Sequence, residues 1–72
     1  SLYPNPANDK IVLLNAPLHS IVKIYSNTGR LMHAQMLDDS KTLKTESLPC
    51  GLYHIRVEAD NNTYTGKFII DR

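Results

Sequence analysis

Along much of this chain apolar and polar side chains alternate one by one. Tyr53, Ile55 and Val57 are interleaved with His54, Arg56 and Glu58, so an extended segment there has one apolar and one charged face. Ile21-Val22-Lys23-Ile24-Tyr25 is β-branched and aromatic, a composition that fits a pleated, half-buried surface. A sustained i, i+3, i+4 repeat occurs nowhere, so the pattern predicts an all-β domain. Strands are expected over Lys10–Asn15, Ser20–Ser26, Leu31–Leu37, Lys41–Glu46, Leu52–Ala59 and Thr63–Ile70, with room for a seventh near the leading prolines. The intervals are rich in turn formers: Ala16-Pro17, Ser26 to Gly29, Asp38-Asp39-Ser40, Leu48 to Gly51 and Asp60-Asn61-Asn62. A strand about every ten residues is the rhythm of an antiparallel β-sandwich.

One face of each strand then supplies the core. The expected core is Ile11, Leu13, Val22, Ile24, Leu43, Tyr53, Ile55, Val57, Tyr64, Phe68 and Ile70, buried between two sheets. The opposite faces carry Lys23, Tyr25, His54, Arg56, Glu58, Thr65, Lys67 and Ile69, a mixed surface with apolar spots.

Length narrows the picture further. The chain has 72 residues, enough for one small domain over 1–72 and too few for a second core. Its stability is expected to be only a few kcal/mol. Hydrophobic residues make up 42% of it, without the run of about 18 apolar residues that a membrane span needs. It opens on Ser1-Leu2-Tyr3, with neither an initiator Met nor a charged-then-apolar leader, so it is expected to be the excised end of a longer protein. The net charge is +1, and the cations are scattered along the chain. Nucleic acid calls for a clustered basic stripe, so it is not an expected partner. Cys50 is the one cysteine; it cannot close an internal disulfide and reads as a small residue in a turn.

Catalytic and metal chemistry find little to work with. His19, His33 and His54 fall in different segments without paired ligand spacing. Asp38-Asp39 and Asp60-Asn61-Asn62 lack the alternating oxygens and late bidentate Glu of a calcium loop. A nucleophile needs a positioned base and a group to orient that base, and so short a chain has little room for a pocket. No enzyme activity, cofactor, metal or small-molecule substrate is expected. Asn61-Asn62-Thr63 spells a glycosylation sequon, a short and commonplace match.

Three punctuation motifs carry more information. In Tyr3-Pro4-Asn5-Pro6 two prolines fix φ, remove two N–H donors and push Tyr3 and Asn5 into extended geometry. Ser26-Asn27-Thr28-Gly29 supplies residues that tolerate a tight reversal before Leu31 resumes a strand. In Leu48-Pro49-Cys50-Gly51-Leu52-Tyr53, Pro49 presets a turn and Gly51 is free to take positive φ.

The order of these motifs, with the ending Lys67-Phe68-Ile69-Ile70, resembles the C-terminal sorting domain (type A) of type IX secretion cargo proteins of the Bacteroidota. The resemblance runs from Tyr3 to about Arg72. Two positions depart from the family pattern: Ser26 stands where Asp is frequent, and Arg72 ends the chain where Lys is common. The resemblance implies a small immunoglobulin-like antiparallel β-sandwich of six to seven strands. It also implies a non-catalytic signal that takes its cargo through the periplasm and across the outer membrane to the cell surface or medium. A surface sortase-type peptidase then removes the domain. The implied partners are outer-membrane type IX components and that peptidase, with room for weak self-association through strand edges. The residues implied in recognition are Gly29, Arg30, Gly51, Tyr53, Lys67 and Arg72, with Tyr3, Pro4, Asn5 and Pro6 as a structural motif. Arg30, Lys67 and Arg72 are expected to be surface cations whose neutralisation costs the fold no more than about 0.5 kcal/mol.

Two rival readings are open. One is a small extracellular adhesion or carbohydrate-binding sandwich, which would want an aromatic platform; the chain has no Trp, and Tyr25 is the strand tyrosine expected to face outward. The other is a structural spacer between domains.

Overall fold

The computed structural model describes residues 9–72. Six strands follow in order: β1 Lys10–Val12, β2 Ile21–Ser26, β3 Leu31–Met36, β4 Thr42–Lys44, β5 Gly51–Ala59 and β6 Asn62–Ile70. Among the described residues there is no helix, as the period-two pattern predicts. The seventh strand suggested near the prolines lies outside the described residues. The strands form a four-stranded antiparallel sheet in the order β3-β2-β5-β6 and a two-stranded antiparallel sheet of β1 and β4.

Between the sheets lies one core of Ile11, Leu13, Val22, Ile24, Leu37, Leu43, Leu48, Tyr53, Ile55, Val57, Phe68 and Ile70. Burying a side chain of this size contributes about 1.5–3 kcal/mol, most of it offset by the entropy of ordering the chain. Tyr53 and Phe68 are cross-strand partners whose rings stack at 5.5 Å. Leu37 and Leu48 follow β3 and β4 in the connections, where strand periodicity gives no signal for them.

Tyr64, expected in the core, is instead 52% exposed. It pairs with Val57 and so points to the inner side of its sheet. The second sheet, however, is made of strands of three residues against nine in β5 and β6, and it does not reach that far. Gly66, two residues on along the same side, adds no side chain of its own. A cleft of about 380 Å³ opens there, lined by Leu13, Ala16, Ile55, Val57, Tyr64 and Gly66 among others.

β1 and β4 are shorter than the alternation suggests, because the chain leaves the ladder on either side of them. After β1, Leu13 N–H still donates to Lys41 C=O at 2.8 Å, and Ala16 N–H then turns back onto Leu13 C=O at 3.2 Å. The two sheets are joined by a polar link as well as by the core: His33 Nε2 lies 2.8 Å from Gln35 Oε1, and the Gln35 amide donates to Thr42 C=O at 3.3 Å.

Candidate functional site

The register brings distant motifs to one end of the sandwich. Ser26 at the end of β2 pairs with Tyr53 near the start of β5, Tyr53 pairs with Phe68, and Gly51 pairs with Ile70 at the end of β6. The β2–β3 turn, the β4–β5 loop and the residues after β6 therefore meet there.

The β2–β3 turn is built by its side chains as much as by its backbone. Gly29 N–H donates to Ser26 C=O at 2.9 Å, and Ser26 N–H donates to Arg30 C=O at 2.8 Å. Gly29 holds φ +90°, a conformation that costs glycine nothing and other residues about 1–2 kcal/mol. The pairing slips by one residue between Ile24 and Tyr25, the bulge that accompanies such a loop. Ser26 Oγ lies 3.0 Å from Thr28 Oγ1 and accepts Arg30 N–H at 3.2 Å. A hydroxyl thus supplies the acceptor oxygen that an Asp would bring to this position.

The β4–β5 loop is pinned from inside and outside. Leu48 is buried, and its N–H donates to Thr45 C=O at 3.0 Å. The Tyr53 hydroxyl donates to Pro49 C=O at 2.6 Å, four residues back, the arrangement of a tyrosine corner in sandwich domains. Gly51 has φ +152°, and nothing lies within 4 Å of where a Cβ would stand. Its backbone, not crowding, makes glycine the fitting residue there.

Arg72 differs from the surface cation expected of it. Its side chain is 28% exposed, and its guanidinium donates to Leu48 C=O at 2.7 Å, to Thr45 C=O at 2.6 Å and to Asp9 Oδ1 at 3.3 Å. The side chain ties the β4–β5 loop to the start of β1. The planar fork of an arginine suits a site that satisfies several acceptors in one plane. Arg30 and Lys67 are exposed, and neither side chain has a hydrogen-bond or ion-pair partner among the described residues.

Of the residues singled out in the sequence, Gly29, Arg30, Gly51, Tyr53 and Arg72 gather at this end. Lys67 stands one row inward, on the outer face of the four-stranded sheet, beside His54. Tyr3, Pro4, Asn5 and Pro6 lie outside the described residues. The register also sets Leu31 beside Tyr25, and Leu52 beside Ile69, on that outer face; Leu31 is 51% and Leu52 38% exposed. Leu52 shares the parity of His54 and Arg56, whereas Leu31 reaches this face through the slip in pairing between Ile24 and Tyr25, which strict alternation does not anticipate. Tyr25 and Tyr64 lie on opposite sides of their sheet, so the two do not form a shared aromatic platform.

A model of the secretion system C-terminal sorting domain family matches residues 1–71. No curated protein matches the chain. Among solved structures, a chain from a structural study of PorZ matches with TM-score 0.69 and 25% identity. PorZ is described there as an essential bacterial surface component of the type IX secretion system of the human oral bacterium Porphyromonas gingivalis. That match covers 100% of the present chain and 11% of the other, so the likeness is to one small part of a much longer protein. The motifs, the fold that gathers them and a family match over nearly the whole length agree: the chain belongs to the secretion system C-terminal sorting domain family of type IX secretion.

Proposed function

We propose that this domain carries its cargo from the periplasm through the outer-membrane components of the type IX system, and that a surface sortase-type peptidase then removes it. Membership of the family makes the domain a sorting signal, with export across the outer membrane to the cell surface or medium. Such a signal is read, not reactive, and the domain does no chemistry of its own. The observation that carries the proposal is the convergence of Gly29, Arg30, Gly51 and Tyr53 on one end of the sandwich, from segments far apart in sequence. Folding is what assembles that surface, so a receptor reading it distinguishes a folded domain from an unfolded one. In this reading residues 1–72 act as one removable unit at the end of a longer protein, and Gly29, Arg30, Gly51, Tyr53 and Lys67 shape the surface that is read. Arg72 supports it from beneath by fixing the loop that carries Pro49 and Gly51.

The test is to fuse the chain behind a periplasm-directed reporter in a type IX-competent host. The reporter is expected at the surface or in the medium, with the domain missing from the mature product by intact mass. Retention of the uncut fusion in the periplasm, at the level of a secretion-deficient strain, overturns the proposal. Export with the domain still attached overturns only the removal step.

A further inference from the structure

The outer face of the four-stranded sheet carries its side chains in rows set by the register. One row runs Leu31, Tyr25, His54, Lys67, and the next Ala34, Lys23, Arg56, Thr65. Lys23 and Arg56 stand directly opposite each other, a like-charge pairing that is unfavourable on its own. Glu58 relieves it with a single oxygen: Oε2 lies 3.3 Å from Lys23 Nζ and 3.0 Å from Arg56 Nε. One carboxylate thus serves two cations, and Lys67 in the next row has no acidic neighbour among its register partners. Between these rows the surface sinks into an open, shallow hollow edged by Tyr25, His54, Arg56, Thr65 and Lys67. Two cations converge on it, and none of its lining residues is acidic.

We propose that this hollow receives a carboxylate side chain from an acidic segment of a secretion-machinery protein; the proposal rests on the sorting function above and names the chemistry of the partner. Glu58 Oε2 lies beside Arg56 Nε, on the side of the guanidinium away from its two terminal nitrogens, which are left for a planar, two-point grip on a carboxylate. Lys67 adds a flexible point charge from the other side. Leu31 and Leu52, exposed on the same face, give the partner apolar contact around the charged centre. An arginine beside a tyrosine, with apolar residues around them, matches the aromatic and arginine enrichment of protein interfaces. A polyanionic glycan would instead call for a dense basic stripe.

Export of the reporter fusion is compared for wild type, Arg56→Gln/Lys67→Gln, Leu52→Asn and the control Lys10→Gln/Lys44→Gln, whose exposed lysines pair on the other sheet. Thermal denaturation of each isolated domain establishes that it folds. The expected result is a tenfold or greater fall in export for the Arg56/Lys67 variant, a smaller fall for Leu52→Asn, and a control within twofold of wild type. In parallel, a hexaglutamate peptide is titrated into the isolated domain. Amide NMR shifts are expected at His54, Thr65 and Lys67 in wild type and none in the Arg56/Lys67 variant. Wild-type export by a folded Arg56/Lys67 variant overturns the proposal. So does an equal fall in the control, which would mean that only total charge matters. Loss of export with the cations but not with Leu52→Asn, together with tighter binding of dextran sulfate than of hexaglutamate, assigns the face to a polyanion and also overturns it. If the wild-type fusion itself stays in the periplasm, the sorting function fails, and the peptide titration still decides the hollow: shifts confined to it support the site, and their absence overturns it.

Discussion

At the end of the sandwich where the motifs meet, positive φ falls on Gly29 (90°) and Gly51 (152°); at the other end it falls on His19 (66°) and Lys41 (52°). Both ends must reverse the chain tightly between strands, and they reach that geometry by different means. At the motif end the residue type itself makes the conformation inexpensive. At the far end hydrogen bonds hold ordinary residues in it. His19 N–H donates to Leu37 C=O at 3.1 Å, and Leu37 N–H returns to Ser20 C=O at 2.9 Å. Lys41 N–H donates to Asp38 C=O at 3.0 Å, while Lys41 C=O accepts Leu13 N–H. The ends also differ in closure. The motif end is sealed by Leu48, Tyr53 and the Arg72 clasp, whereas the far end opens into the cleft beside Gly66 and leaves Leu14 and Tyr64 in solvent. The sealed end is the one carrying the motifs.

The sharpest way to break this contrast is Gly51→Val. Forcing a β-branched residue to positive φ costs about 1–3 kcal/mol, and each kcal/mol lowers the melting temperature of so small a domain by about 4–8 °C. An unchanged midpoint would show that the motif end does not depend on glycine. Next is Arg72→Gln, which removes the guanidinium from the Leu48 and Thr45 carbonyls and is expected to cost about 1–2 kcal/mol. Arg30→Gln in the same assay is expected to stay within about 0.5 kcal/mol; equal losses would erase the distinction between the clasp and the free cation. At the far end the sign reverses. Lys41→Gly is expected to stabilise by about 0.5 kcal/mol, because relief of the left-handed conformation exceeds the added freedom of the unfolded chain. A lowered midpoint would mean that this end is not strained.

The smallest effect concerns acid. Ser40 donates to Asp38 Oδ1 through its hydroxyl at 2.6 Å and its N–H at 3.0 Å, and the hydroxyl bond first, then the backbone bond, holds the Asp38 carboxyl below its usual range. A carboxyl lowered on folding stabilises fully above its unfolded value, and that contribution is lost as pH falls through the lowered folded value. Asp38→Asn is therefore expected to differ from wild type near neutral pH and to begin converging with it in melting temperature only below about pH 4, as pH falls toward the lowered folded value. Parallel curves throughout would remove Asp38 from the account of the far end.

This contrast also explains what the sequence disclosed. The six strands were legible because one-by-one alternation is the mark of a half-buried strand, and Gly29 and Gly51 were legible as turn residues because each closes a run of turn formers, Gly51 with freedom to take positive φ. Tyr64 misled, since alternation gives the side of a sheet and not how far the opposing sheet extends. His19 and Lys41 carried no signal, their geometry being imposed by partners distant in the chain. Arg72 read as a surface cation because a terminal arginine in sequence does not reveal which carbonyls will surround it. The hollow by Arg56 and Lys67 was half legible: both were placed outward, but their common edge depends on the β5–β6 register.

The bond between Arg72 and Asp9 has a mechanical consequence. It holds Asp9, just ahead of β1, beside the residues after β6, at the end that carries the motif turns. The same guanidinium grips the carbonyls of Leu48 and Thr45, so tension applied to the start of β1 reaches the β4–β5 loop through a single side chain.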